Sequence, residues 1–324
     1  MNHREKQNIM NDNKLLCTYG EFKNIPLLKT QKYFYNPELS LPINNNFCFV
    51  DVIASDNISI GHKFISLNKN KPVMIMMVDK EFNGANMDIL GNITDYEYIL
   101  KSNFYKTLND KNLYPLNDGE INFIQNLFIF RDNNYNISEN KYSIPAIIFS
   151  PIKNPVILGQ YMLTDDYLSY QKSIEAIFQG AFVAGLDTLI LSDMGIISYG
   201  IPVGEFLEII NICILKYCTL FKFIIFAIQP KNQRDLELID LLTERLVKPQ
   251  YLNVSNNSIN PINPINSNHP NHQLINPNHP NNQMINPNHQ MINPNNQMIN
   301  PNHQMINNQM INNQMINPNK QNYN

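Results

Sequence analysis

Apolar runs of strand length alternate with stretches of helical spacing over most of the chain. "FCFVDVI" (47–53) reads as a buried strand, and Asp56 as the cap of a helix running through Ile65 and Leu67. "VMIMMV" (73–78) is a second strand, followed by a loop, 79–94, that carries Gly84 and Gly91. Tyr96, Ile99, Leu100, Phe104 and Leu108 recur at helical spacing and predict a helix over 95–108. "NLFIFR" (126–131) and "YSIPAIIF" (142–149) read as neighbouring strands joined by the polar stretch 132–141. Leu168, Ile174, Ile177, Phe178 and Ala181 share one face of a helix over 166–184. "DTLILS" (187–192), a helix over 203–218, the strand "FKFIIFAI" (221–228) and an amphipathic helix over 232–246 complete the series.

Apolar strands alternating with helices predict a sheet covered on both faces. Ligands of such sheets bind at the carboxyl ends of strands, in the loops that lead to helices. Two loops qualify, 79–94 and 192–202. The second, "SDMGIISYGIP", carries Gly195, Tyr199 and Gly200 ahead of a helix. Its amides suit an anion such as a diphosphate. The same glycines also serve a chain that simply has to reverse.

The last seventy-odd residues follow a different pattern. Met284, Met291, Met298 and Met305 recur every seven residues, and Pro287, Pro294 and Pro301 recur at the same interval. The prolines break each helical segment that a heptad would need. Residues 253–324 hold no acidic residue and one basic residue, Lys320. The expectation is a disordered Asn-rich low-complexity tail, either without a specific role or sticky at its Met-Ile pairs. The division expected is a flexible N-terminus (1–14), one α/β domain (15–252) and this tail.

Net charge is -3 and no Lys/Arg run is present, which argues against nucleic acid as a partner. The polar start "MNHREKQNIMNDNK" does not read as a signal peptide, and no apolar run has the length of a membrane span. The expectation is an intracellular, cytoplasmic protein with no membrane association; no oligomeric state is indicated. Cys17, Cys48, Cys213 and Cys218 include no Cys-x-x-Cys pair, and Cys213 and Cys218 sit in an apolar helical stretch as core residues. Five of the 7 histidines, His269, His272, His279, His289 and His303, lie in the tail. The remaining two, His3 and His62, give the folded part little material for a histidine triad or a metal site, and His62 is expected to face solvent. No metal or cofactor is implied.

The two loops, in this order and separation, resemble the macrodomain fold, and more narrowly the microbial type of poly(ADP-ribose) glycohydrolase. That family has an Asn-Pro-Gly-Gly-Gly loop, then Gln-Glu-Glu, then a helix into which "ILKSNFYKTL" (99–108) fits, with Ser102, Phe104, Tyr105 and Leu108 in register. Its "LGAWGCGVFGNP" fits "LSDMGIISYGIP" (191–202). "FIFRD" (128–132) and "IIFSP" (147–151) resemble its "VVFRD" and "VITAP" segments, so the likeness spans roughly residues 15–250. The resemblance implies a three-layer sandwich, a mixed central sheet with helices on both faces, and a pocket for ADP-ribose or an ADP-ribosylated protein. It implies ligand contacts from Gly84, Ala85 and Asn86 in the first loop and from Gly195, Ile196, Ile197, Ser198, Tyr199 and Gly200 in the second.

The departures point to lost chemistry. Gln-Glu-Glu falls on Thr94, Asp95 and Tyr96. The family's second glutamate works beside the ribosyl bond, and such work needs a carboxyl that exchanges a proton or stabilises a developing cation. Tyr96, a phenol that titrates near ~10, does neither at neutral pH. Asp95 and Glu97 are the remaining catalytic candidates. Two of three glycines of the first loop are replaced, and Ile197 replaces a glycine in the second. Tyr199 reads either as the aromatic beside the distal ribose or as a core residue. The expected function is a catalytically inactive macrodomain-like protein, an ADP-ribose reader or a scaffold that has lost the ligand. The alternatives are an ADP-ribosyl glycohydrolase using Asp95 or Glu97, and a tether acting through its Asn-rich tail.

Overall fold

The computed structural model describes residues 1–42, 47–80, 96–107 and 112–247. In chain order the elements are α1 (His3–Thr18), β1 (Thr30–Phe34), β2 (Phe49–Ile53), α2 (Asn57–Ser66), β3 (Pro72–Met77), α3 (Tyr96–Lys101), β4 (Glu120–Arg131) and β5 (Ile137–Phe149). They continue with the two-residue strands β6 (Ile157–Leu158) and β7 (Tyr161–Met162), then α4 (Thr164–Val183), β8 (Thr188–Leu191), α5 (Val203–Tyr217), β9 (Phe223–Ala227) and α6 (Gln233–Leu242). Seven strands form one sheet in the order β1-β4-β5-β3-β8-β9-β2. β1, β4 and β5 pair antiparallel, and β5 through β2 pair parallel. The fold class is thus the expected one, a mixed sheet between two helical layers.

Strand β3 shows why the sheet is covered twice. All six of its residues are buried. Val73, Ile75 and Met77 pack into one cluster with Phe178, Phe206 and Phe226. Met74, Met76 and Val78 pack into the other with Met10, Ile99 and Phe104. The period-two alternation of a strand divides its side chains between two cores, so neither face can be polar. α4, α5 and α6 supply the first core, and α1, α2 and α3 the second.

The differences from the sequence reading have local causes. Residues 1–14, expected to be flexible, lie largely in α1. Asn2 caps that helix, accepting from the Glu5 N–H at 2.9 Å, while Glu5 returns the bond to the Asn2 N–H at 2.8 Å. Met10, Asn13 and Cys17 are its only buried positions, too sparse a stripe to register as periodicity. The helix expected over 95–108 is interrupted. Ser102 Oγ donates back to the Tyr98 carbonyl and accepts from Phe104 N–H at 3.0 Å, and a 3₁₀ turn, Asn103–Thr107, follows. Residues 95 and 108 lie outside the described residues, as do the whole of 81–95 and the tail. On α4, Leu168 is 43 % exposed; the core positions at that end are Tyr167 and Tyr170. His62 is half-buried with its ring 5.0 Å from that of Tyr142.

Candidate functional site

The parallel strands β3, β8, β9 and β2 end along one edge of the sheet, and a cavity of about 380 Å³ opens there. Each wall is placed by a capped or terminated element. Asp56, Asn57 and Ile58 come from the first turn of α2, where Asp56 Oδ1 accepts from Ser59 N–H at 2.9 Å. Ser192 and Asp193 follow β8, and Ala227, Ile228 and Gln229 continue β9. Asp235, from the first turn of α6, is buried; its Oδ2 accepts from Lys231 N–H at 2.7 Å, and its Oδ1 has no hydrogen-bond partner among the described residues.

The α3 wall carries Glu97, Tyr98 and Lys101. Glu97 Oε2 lies 2.6 Å from Lys101 Nζ, and Glu97 Oε1 accepts from the Tyr135 hydroxyl at 2.7 Å. Lys101, only 5 % exposed, also donates to Asn133 Oδ1 at 2.9 Å and sits 5.4 Å above the Tyr135 ring. Both carboxylate oxygens of Glu97 are therefore committed to donors. Asp95, Gly84, Ala85 and Asn86 lie outside the described residues, and of Tyr96 only its place at the start of α3 is described.

The second loop differs from its expectation in detail. Ile197 and Ser198 line the cavity. Gly195, Ile196, Tyr199 and Gly200 do not count among its lining residues. Tyr199 is 2 % exposed and packs in the α4–α5 core, as its core reading has it. The loop geometry turns it inward. Gly195 (φ 97°) and Gly200 (φ 74°) hold left-handed conformations on either side, and the Tyr199 N–H donates to the Gly195 carbonyl at 3.0 Å. A Cβ on Gly195 would sit 3.1 Å from Pro151 Cβ and 3.2 Å from Ile201 Cγ1, so a side chain there would add crowding to the strain of the positive φ.

The loop amides point to its own side chain. Ile197 N–H donates to Asp193 Oδ2 at 2.9 Å, and the Ser198 amide lends the same carboxylate a weaker electrostatic pull. Ile196 N–H is taken by the Asp193 carbonyl at 3.0 Å and Ile201 N–H by the Gly195 carbonyl at 3.2 Å. Burial pushes the Asp193 carboxyl above its ordinary range, against the pull of those amides and of Lys231. Sequence reasoning passed over Asp193. The signal was an ionisable residue directly behind an apolar strand, where the resembling motif has alanine. Lys101 and Asp235 were missed too, since each reads as ordinary helix-surface charge.

Burial raises all four thiols, Cys48 to about 12, which makes none of them a ready nucleophile. Among the described residues, no group of three or more His, Cys, Asp and Glu side chains could hold a metal ion, and no helix is long and apolar enough to cross a membrane.

No protein-family model and no curated protein sequence matches the chain. Solved structures do. Poly(ADP-ribose) glycohydrolase from Thermomonospora curvata superposes with a TM-score of 0.63 at 11% identity, covering 75% of this chain and 100% of that one. The chain has the fold of the microbial poly(ADP-ribose) glycohydrolases. The T. curvata enzyme bound to the inhibitor ADP-HPD gives a TM-score of 0.59 at 11% identity over the same shares of the two chains. The Deinococcus radiodurans enzyme in complex with ADP-ribose gives 0.53 at 12% identity, covering 64% of this chain and 87% of that one. Identities this low speak for the glycohydrolase-like fold and leave the chemistry to the residues in the cavity.

Proposed function

We propose that the chain is a non-hydrolysing, macrodomain-like reader whose cavity recognises ADP-ribose or an ADP-ribosylated protein. The cavity lies where open α/β sheets bind ligands, on a fold shared with a glycohydrolase solved in complex with ADP-ribose. The observation that carries the non-hydrolytic half is the Glu97–Lys101 ion pair, completed by Tyr135. Cleaving a ribosyl bond calls for a carboxyl that can deliver or accept a proton beside it. The one α3 carboxylate described in the cavity is instead fixed by two donors. Tyr96 in the expected catalytic position points the same way.

Thermal melting of the full-length protein with increasing ADP-ribose tests the reader. A ligand that prefers the folded state raises the melting temperature in proportion to the logarithm of its concentration above Kd. The expected result is a dose-dependent rise in the high-micromolar to millimolar range. No shift at millimolar ADP-ribose would leave the fold as a scaffold. Free ADP-ribose released from a modified protein, and abolished by Glu97→Gln or Asp95→Asn, would instead establish the hydrolase.

A further inference from the structure

We propose that Asp193 determines specificity: its carboxylate occupies the anion seat of the 193–201 loop, so the cavity favours the nucleoside end of an ADP-ribose-type ligand over its diphosphate. The inference rests on the reader reading of this cavity. Convergent backbone N–H groups at the end of a strand, ahead of a helix, form a seat for an anion. Here the Ile197 amide donates to a carboxylate that the chain itself supplies. The neighbouring amides of Ile196, Tyr199 and Ile201 are closed onto carbonyls of the same loop. The amides of Ile196, Ile197 and Tyr199 are therefore not open to an incoming phosphate without breaking an internal bond.

Charge and shape act in the same direction. A diphosphate entering beside Asp193 meets a fixed negative charge, and Asp56, Glu97 and Asp235 line the same cavity. Of the two lysines there, Lys101 is already paired with Glu97, and the Lys231 charge faces Asp193. The Ile197 side chain, 37 % exposed, stands where the diphosphate would approach the backbone. An uncharged nucleoside suffers none of the repulsion. Like-charge opposition of this kind sets preference by penalising the wrong group.

Isothermal titration of the full-length protein, Asp193→Ala and Asp193→Asn with ADP-ribose and with adenosine separates the contributions. Adenosine is expected to bind all three proteins alike. ADP-ribose is expected to bind the two variants about tenfold more tightly than the wild type, as removal of one facing charge allows. Asp193→Asn keeps an oxygen acceptor for the Ile197 N–H and so reads the charge alone should the alanine variant lose its fold. Unchanged or weaker ADP-ribose binding in a folded Asp193→Asn protein, with adenosine binding intact, would overturn the role of Asp193. Failure of the reader reading looks different: neither compound gives heat with any of the three proteins, and the inference falls with it.

Discussion

At the residue scale the cavity is defined by two carboxylates in opposite circumstances. Glu97 is paired with Lys101 and accepts from the Tyr135 hydroxyl. Asp193 is held in the wall, where burial raises its pKa although Ile197 and Ser198 amides oppose the shift. A group whose folded pKa lies above its unfolded value contributes its full stability below the unfolded pKa and loses it as pH rises through the folded one. At neutral pH the ionised Asp193 thus weakens the fold. Asp193→Asn should melt at a higher temperature than the wild type at pH 7, with the gap closing as pH falls toward ~4. Asp118, Glu120 and Asp187, whose pKa values are lowered, act in the opposite direction but equally in both proteins, so they cancel in the difference. A gap that is constant with pH, or reversed, would show that the charge at 193 is not under strain. Neither circumstance was legible in the sequence. Glu97 was named there for its type and position, but its partner Tyr135 lies 38 residues away and meets it only through the fold.

At the element scale, strands and long helices were legible because their burial follows a strict period. β3 and β8, buried at every position, show no such period and appear instead as short, mostly apolar runs, with Thr188 the polar member of β8. α1 was not legible, because a single polar side chain does much of its anchoring. Asn13 is fully buried, donates to the carbonyls of Ile99 and Leu100 at 3.2 and 2.9 Å, and accepts from Arg131 Nε at 2.6 Å. It ties α1 to the end of α3, the helix that carries Glu97 and Lys101, while Arg131 also pairs with Asp12. Asn13→Ala leaves two buried carbonyls and part of a guanidinium without partners, at a cost of about 2–3 kcal/mol. Denaturant unfolding followed by circular dichroism should show a lower midpoint at unchanged slope. A loss below about 0.5 kcal/mol would mean that the apolar contacts of Met10 and Cys17 hold α1 alone.

At the scale of the whole molecule, the order of strands and helices was enough to suggest the architecture, and the superposition on glycohydrolases confirms the fold. What the linear pattern could not convey is how a loop spends its amides. "SDMGIISYGIP" keeps glycines that would suit an anion-binding turn, yet the folded loop directs the Ile197 N–H onto the Asp193 side chain, closes other amides on its own carbonyls and sends Tyr199 into the core. Glycine spacing reports where the backbone must turn and says nothing of whether an external anion is seated there. The function proposed above, recognition without hydrolysis, is one that this glycohydrolase-like fold would serve through its cavity.

The most direct test is to incubate the full-length protein with an ADP-ribosylated protein and follow both free ADP-ribose and the bound complex over time. The account predicts a complex that persists while free ADP-ribose stays at the level of the protein-free control. Steady release of ADP-ribose above that control, lost in Glu97→Gln or Asp95→Asn, would contradict it.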